Sequence, residues 1–268
     1  MGKQKNIPKH VGIILDGNGR WARGKGLLRN DGHEAGMKNA EELLPFLFTQ
    51  GVEAVTIFAF STENWSRAEE EVDGLFDLFR QAMRDAAPRL QEKKIHIRFI
   101  GDRSALSEDL QQGMDQVERE SACIKDPLGT LVVAINYGGW DEVRRGCERM
   151  IHQFTDLAVH DVATRFLGPH PADVVAWEIQ KAMRNLASSI QKDTISRCLD
   201  TVGLPDVDLV IRTAGEKRLS GFLPLQAAYA EYYWIDKPWP AVTKRDLLRA
   251  IRAFGRRNRS FGGAGQGN

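Results

Sequence analysis

The sequence predicts a single α/β domain in which helices flank a central, mostly parallel sheet, and three observations carry that prediction. Six short apolar runs rich in β-branched residues recur along the chain, and helical spacing fills the intervals between them. Hydrophobic residues make up 42% of the 268, enough to bury a sizeable core. Strands that alternate with helices form βαβ units, whose crossovers make neighbouring strands parallel.

The first run, "HVGIIL" (10–15), ends at Asp16 and continues as "GNGR", a permissive backbone with a carboxylate and a cation at its tip. Beyond it, Ala40, Leu43, Leu44, Leu47 and Phe48 recur at the spacing of one helix face, Gly51 supplies a stop, and Pro45 is expected to kink the helix. The second run, "VEAVTIFAF" (52–60), leads through "STENWSR" to a helix with Val72, Leu75, Phe76, Phe79, Met83 and Ala86 on one side. Periodicity alone reads that stripe as core packing. The runs "KIHIRFIG" (94–101), "TLVVAIN" (130–136), "DLVIRT" (208–213) and the less regular "YAEYYWI" (229–235) complete the set. Residues 141–200 exceed a single crossover and read as two or three helices with an inserted excursion. One domain over 1–268 is expected, with 1–8 and 264–268 flexible.

Thirty-seven Lys and Arg against 36 Asp and Glu leave a net charge of +1, which gives no global reason to expect a nucleic-acid partner. Cys123, Cys147 and Cys198 lie far apart, a spacing that suits reduced thiols better than a disulfide framework or a zinc site. The first ten residues are polar and basic, and no stretch reaches the ~20 apolar residues of a membrane span. A cytoplasmic protein is expected, with transient membrane contact left open for a greasy substrate.

Open parallel sheets bind ligands beyond the carboxyl ends of their strands, so the residues just after each run matter most. Asp16, Gly17, Asn18, Gly19 and Arg20 follow the first, "STENWSR" (61–67) ends the second, and Arg212 to Ser220 end the fifth. Arg20, Arg29, Arg67, Arg212 and Arg218 are thereby expected on one edge, beside a glycine-rich turn with free amides. That set suits a diphosphate. A lone carboxylate among so many cations suits magnesium, which takes one or two carboxylates and completes its shell with phosphate oxygens and water. Neither GxxxxGK[ST] nor a dinucleotide glycine pattern occurs, and no DDxxD motif is present.

The segments "HVGIILDGNGRWARGKGLLRNDGHEAG", "FAFSTENWSR", "INYGG", "GLPDVDLVIRTAGEKRLSGF" and "AYAEYYWIDKPWP" resemble, in order, the signature segments of the cis-prenyltransferase family. The resemblance implies a homodimer of α/β subunits with an apolar tunnel, joining an allylic diphosphate to a C5 diphosphate acceptor with magnesium. By it, Asp16 binds Mg2+ with Glu231 as a further metal-side carboxylate. Gly17, Asn18, Gly19, Arg20, Arg29 and His33 surround the allylic diphosphate, and Arg212, Arg218 and Ser220 grip that of the homoallylic acceptor. Asn64 and Ser61 lie where the acceptor loses its proton, while Trp21, Phe60, Trp65 and Arg67 shape substrate placement. The bland alternatives are a helix-capping His33, a solvated Glu231 and a core Trp65.

Several positions depart from the family pattern. Trp140 follows "NYGG" where arginine is common, Gly221 replaces an asparagine, Pro224 a tryptophan, and Ser260 precedes "FGG" where arginine is frequent. The segment between "INYGG" and "IRTAGE" is also longer by roughly twenty residues. These departures favour a short-chain product, of fifteen carbons or fewer, or an irregular one of the lavandulyl type. The alternatives are a long-chain undecaprenyl-type synthase and an inactive partner subunit. Leu75, Phe76, Phe79, Met83 and Ala59 are expected to line the tunnel.

Overall fold

All six apolar runs are strands: β1 (His10–Ile14), β2 (Ala54–Ser61), β3 (Ile95–Ile100), β4 (Gly129–Tyr137), β5 (Leu209–Arg212) and β6 (Glu231–Trp234). They form one sheet in the order β3-β4-β2-β1-β5-β6, and every pairing is parallel. The structure is a computed structural model that describes residues 6–85, 92–165 and 170–257. Ala86, Arg259, Ser260, the first five residues and the tail 264–268 lie outside the described residues.

The central strands read as continuous apolar runs because both their faces are covered; all five residues of β1 are buried. One face carries α2 (Arg29–Thr49), α3 (Glu69–Arg84), α4 (Glu108–Ala122) and α8 (Lys244–Gly255), whose apolar stripes share a core with Val11, Ile13, Val55, Ile57, Leu209 and Ile211. The predicted face of α2 is the buried one, and α2 continues through Pro45 to Thr49; on α3 Val72, Leu75 and Phe76 are buried, whereas Phe79 and Met83 are half-buried. On the other face the Phe222 ring stacks on Phe58 at 4.9 Å. Register shifts between Phe58 and Ser61 let both Ile57 and Phe60 enter the same core, which strict alternation forbids.

His10 ties the amino edge of the sheet together. Its Nδ1–H donates to the Pro205 carbonyl at 2.8 Å, and Nε2 meets the Thr56 hydroxyl at 2.7 Å. Burial pushes its pKa below the ordinary 6.5, against the opposing pull of the Pro205 bond and of Asp208 and Asp206.

The described residues form two compact units, one from those before 139 and after 204, the other from those between 139 and 204. The second unit contains the long segment read as two or three helices, and among the described residues it has three: α5 (Gly139–Arg165), α6 (Ala172–Ser188) and α7 (Lys192–Arg197). Inside it Arg145 grips Asp200 through both terminal nitrogens, at 2.8 and 2.6 Å, and Asp141 through Nε at 2.8 Å. Cys123, Cys147 and Cys198 are free thiols, and no helix among the described residues is long and apolar enough to cross a membrane.

Candidate active site

The parallel register sets Ile14 beside Phe58 and Arg212, and Ser61 beside Tyr137, so the chain beyond β1, β2, β4 and β5 emerges on one edge. At the head of β1, Gly17 has φ 97°, and a Cβ there would lie 2.7 Å from that of Ala214 and 2.8 Å from that of Pro238. Only glycine fits. α1 (Asn18–Arg23) starts at once, and its first backbone bond runs from Trp21 N–H to the Gly17 carbonyl at 2.9 Å. The amides of Asn18, Gly19 and Arg20 therefore have no partner within the helix.

Asp16 is held by the cations predicted to gather there. Arg212 Nη2 donates to its Oδ2 at 3.0 Å, and Arg20 lies 3.5 Å from Oδ1. Arg212 is 4% exposed and also donates to the Arg218 carbonyl and, at 2.8 Å, to the Ser220 hydroxyl. Among the described residues its Nε and the Oδ1 of Asn18 are buried without a partner. Such atoms cost about 1–3 kcal/mol each, so an orphaned guanidinium N–H marks a place for a ligand oxygen. The loop after β5 is strained to fit: Ala214, Ser220 and Leu223 have φ of 65°, 51° and 47°. Arg20 anchors that loop through the Ala214 carbonyl at 3.0 Å and Glu216 at 3.3 Å, while the outer Arg218 pairs with Glu216 at 2.5 Å.

A second cluster surrounds Glu71, in the first turn of α3 and 7% exposed. Arg29 approaches at 3.1 Å, His33 at 3.2 Å and Arg67 at 3.0 Å. Burial lowers the His33 pKa, and its hydrogen bond to Glu71 opposes that shift. Glu71 was not among the predicted site residues. In "EEEV" it reads as a solvated acidic turn; the available signal was its place four residues before Leu75, on the buried face.

Across the edge, Asn64 Oδ1 accepts the Ser61 N–H at 3.1 Å and closes the 3-10 turn Thr62–Ser66. Trp65, 43% exposed, donates its indole N–H to Asn136 at 2.8 Å and rests on Phe60 and Phe76, each 5.2 Å away. Phe60 itself is fully buried. Trp21 holds the Lys25 ammonium 4.2 Å above its ring.

Below this edge opens an apolar cavity of about 250 Å3 between α2, α3 and the sheet. It starts at Leu15, Asn18 and His33 and descends past Ala59, Leu75 and Phe79 to Met83, Lys93 and Ile95. Phe76 is absent from its wall, packing instead against Phe60 at 5.0 Å.

Glu231 is not brought to Asp16 within this chain. It opens β6 beside Leu209, at the amino edge, and pairs with Arg257, whereas Asp16 follows β1 at the carboxyl edge. Among the described residues no three His, Cys, Asp or Glu side chains form a metal site. The donor set fits magnesium in one way, with Asp16 as its protein carboxylate and the remaining ligands drawn from diphosphate and water.

Residues 14–262 match the family described as "Putative undecaprenyl diphosphate synthase". The chain belongs to the cis-prenyltransferase family. It is 38% identical over 256 residues to the isoprenyl transferase of Aquifex aeolicus, covering 96% of both chains. To the ditrans,polycis-undecaprenyl-diphosphate synthase of Haemophilus influenzae, specific for (2E,6E)-farnesyl diphosphate, it is 38% identical over 261 residues, covering 97% of both. Lavandulyl diphosphate synthase from Lavandula x intermedia, solved with dimethylallyl diphosphate, superposes with a TM-score of 0.78 at 29% identity, covering 96% of this chain and 99% of that one. Like these cis-prenyltransferases, the chain is a prenyl-transferring enzyme.

Proposed function

We propose that this enzyme elongates an allylic diphosphate with successive isopentenyl diphosphate units to a long-chain Z-prenyl diphosphate, releasing pyrophosphate at each cycle. The observation that carries the reading is the cavity, which follows the sheet from the diphosphate edge to the opposite one. Its lining spans Leu131 to Ile135 on β4 alone, four residues or about 13 Å of strand. The likeness to a ditrans,polycis-undecaprenyl-diphosphate synthase, 38% identical over nearly the whole chain, supports the same reading.

In each cycle the allylic C–O bond breaks, the acceptor's terminal alkene carbon bonds to the allylic carbon, and a proton leaves the acceptor. The negative charge that develops on the leaving diphosphate meets Arg20, Arg29, His33 and the amides of Asn18, Gly19 and Arg20, preorganised before the reaction begins. Bound magnesium at Asp16 would neutralise part of that charge. Arg212, through its unpartnered Nε, with Arg218 and Ser220 holds the acceptor diphosphate, and Glu71 keeps Arg29, His33 and Arg67 in place. Asn64 is a weak base with its oxygen already bonded to Ser61 N–H, so it orients the acceptor and a pyrophosphate oxygen takes the proton. Homodimer formation, a cytoplasmic location and transient membrane contact at product release belong to the same reading.

The preference for a short product rested on the departures from the family pattern, of which Pro224 and Gly221 add no bulky side chain to the acceptor side. Trp140 is 87% exposed and Pro224 is exposed. Gly221 has φ 74°, a conformation that asparagine and glycine both tolerate, so this exchange preserves the backbone. The likeness to lavandulyl diphosphate synthase favours a second reading, a single irregular condensation of dimethylallyl diphosphate. Mass spectrometry of products from dimethylallyl diphosphate alone, and from farnesyl with isopentenyl diphosphate, separates the two. A ladder of products growing by five carbons supports elongation; a single branched ten-carbon product overturns it.

A further inference from the structure

We propose that Lys93 sets the length of the product by closing the far end of the apolar cavity with an ammonium group. This rests on the elongation reading above. Lys93 lies two residues before β3, at the amino edge of the parallel sheet, opposite the edge that carries Asp16. The cavity that begins at Asn18 and His33 ends among Glu41, Pro45, Met83, Lys93 and Ile95. Among the described residues the lining here changes from hydrocarbon to the charged residues Glu41 and Lys93.

The ammonium is fixed in that position. Its Nζ reaches across to α2 and donates to the backbone carbonyl of Glu41 at 2.9 Å, and among the described residues it forms no ion pair. Lys93 is partly buried, so its stem continues the apolar wall while its head keeps part of its hydration.

A growing chain is drawn down the cavity because each added methylene leaves water for an apolar surface. That gain continues only while the surface ahead is apolar. The unit that reaches Lys93 must cover a charged group, remove its remaining water and offer no hydrogen bond in exchange. Growth beyond this point is opposed, and the product leaves at that length. Phe79, on the cavity wall, acts differently: it narrows the passage by volume, whereas Lys93 limits its depth by charge.

Lys93→Met keeps the stem and removes the charge, Lys93→Arg keeps the charge, and Lys93→Ala removes both. Each is assayed with farnesyl and radiolabelled isopentenyl diphosphate, scoring the most abundant product length and the rate of the first condensation. Lys93→Met and Lys93→Ala are expected to lengthen that product by at least one five-carbon unit, Lys93→Arg to keep the wild-type length, and all three to keep the wild-type rate of the first condensation. Wild-type length in both Lys93→Met and Lys93→Ala overturns the assignment while leaving elongation intact. So does lengthening in Lys93→Ala alone, which makes the effect one of volume. A wild type that stops after one condensation overturns the elongation reading, and this inference with it.

Discussion

Replacing Asp16 with alanine removes the carboxylate that faces Arg212, and the geometry predicts a loss of stability together with the loss of turnover. Taking one partner from a buried ion pair costs about 3–5 kcal/mol, because the other charge is left uncompensated. Here the Asp16 side chain is 30% exposed against 5% for Arg212, so solvent screens part of the interaction. Arg212 also keeps the Arg218 carbonyl and the Ser220 hydroxyl. Roughly half the full cost, ~2 kcal/mol, remains, equivalent to ~4–8 °C in Tm for a domain of this size. Thermal unfolding followed by circular dichroism reads the first effect, and magnesium-dependent condensation the second. A double variant, Asp16→Ala with Arg212→Met, replaces the stranded charge by an apolar side chain; it should recover most of the stability and none of the activity. An Asp16→Ala protein that melts with the wild type refutes the counter-ion role, and one that retains most of its turnover refutes the metal-side role.

Arg218→Ala should raise KM for isopentenyl diphosphate about ten- to a hundredfold, from a lost contact worth ~1.5–3 kcal/mol, and raise that of the allylic substrate far less; equal effects contradict separate diphosphate subsites. Phe79→Ala should lengthen the product, because Phe79 lines the cavity, whereas Phe76→Ala should leave the length unchanged and cost ~3–5 kcal/mol of stability; the reverse pattern contradicts the cavity assignment. His10 and His33 both have pKa values lowered by burial from an ordinary 6.5. The unfolded chain binds their protons first, so stability is fully present above about pH 6.5 and falls as the pH drops toward the folded values. Urea midpoints at about pH 7.5 and about pH 5.5 test this, and an equal or higher midpoint at the lower pH refutes it.

The strands were legible because both faces of the sheet are covered, which turns each central strand into an unbroken apolar run. The arginine-rich edge was legible for a related reason: once the strands are parallel, whatever follows them must meet, and Asp16, Arg20, Arg212, Arg218 and Ser220 do. What escaped were charges whose burial depends on tertiary packing. Glu71 sits in a run of three glutamates, and Lys93 between a glutamate and another lysine, so each looks like part of a solvated surface. The place of Glu231 was partly legible, since it precedes the apolar "YYWI" and so belongs at the amino end of its strand. The segment 141–200 was read as helical and is, but the pairing of Arg145 with Asp200, 55 residues apart, leaves no local signal.

The central claim is that the arginine-rich edge holds the diphosphate while the chain descends between α2 and α3. A crystal structure with magnesium and a non-hydrolysable farnesyl thiodiphosphate tests it most directly. The account predicts diphosphate oxygens within hydrogen-bond distance of the Gly19 amide and the Arg20 and Arg29 guanidinium groups, magnesium on Asp16, and a farnesyl tail running past Ala59 and Leu75 toward Phe79. A tail lying outside this cavity, or a diphosphate bound away from Asp16, contradicts it.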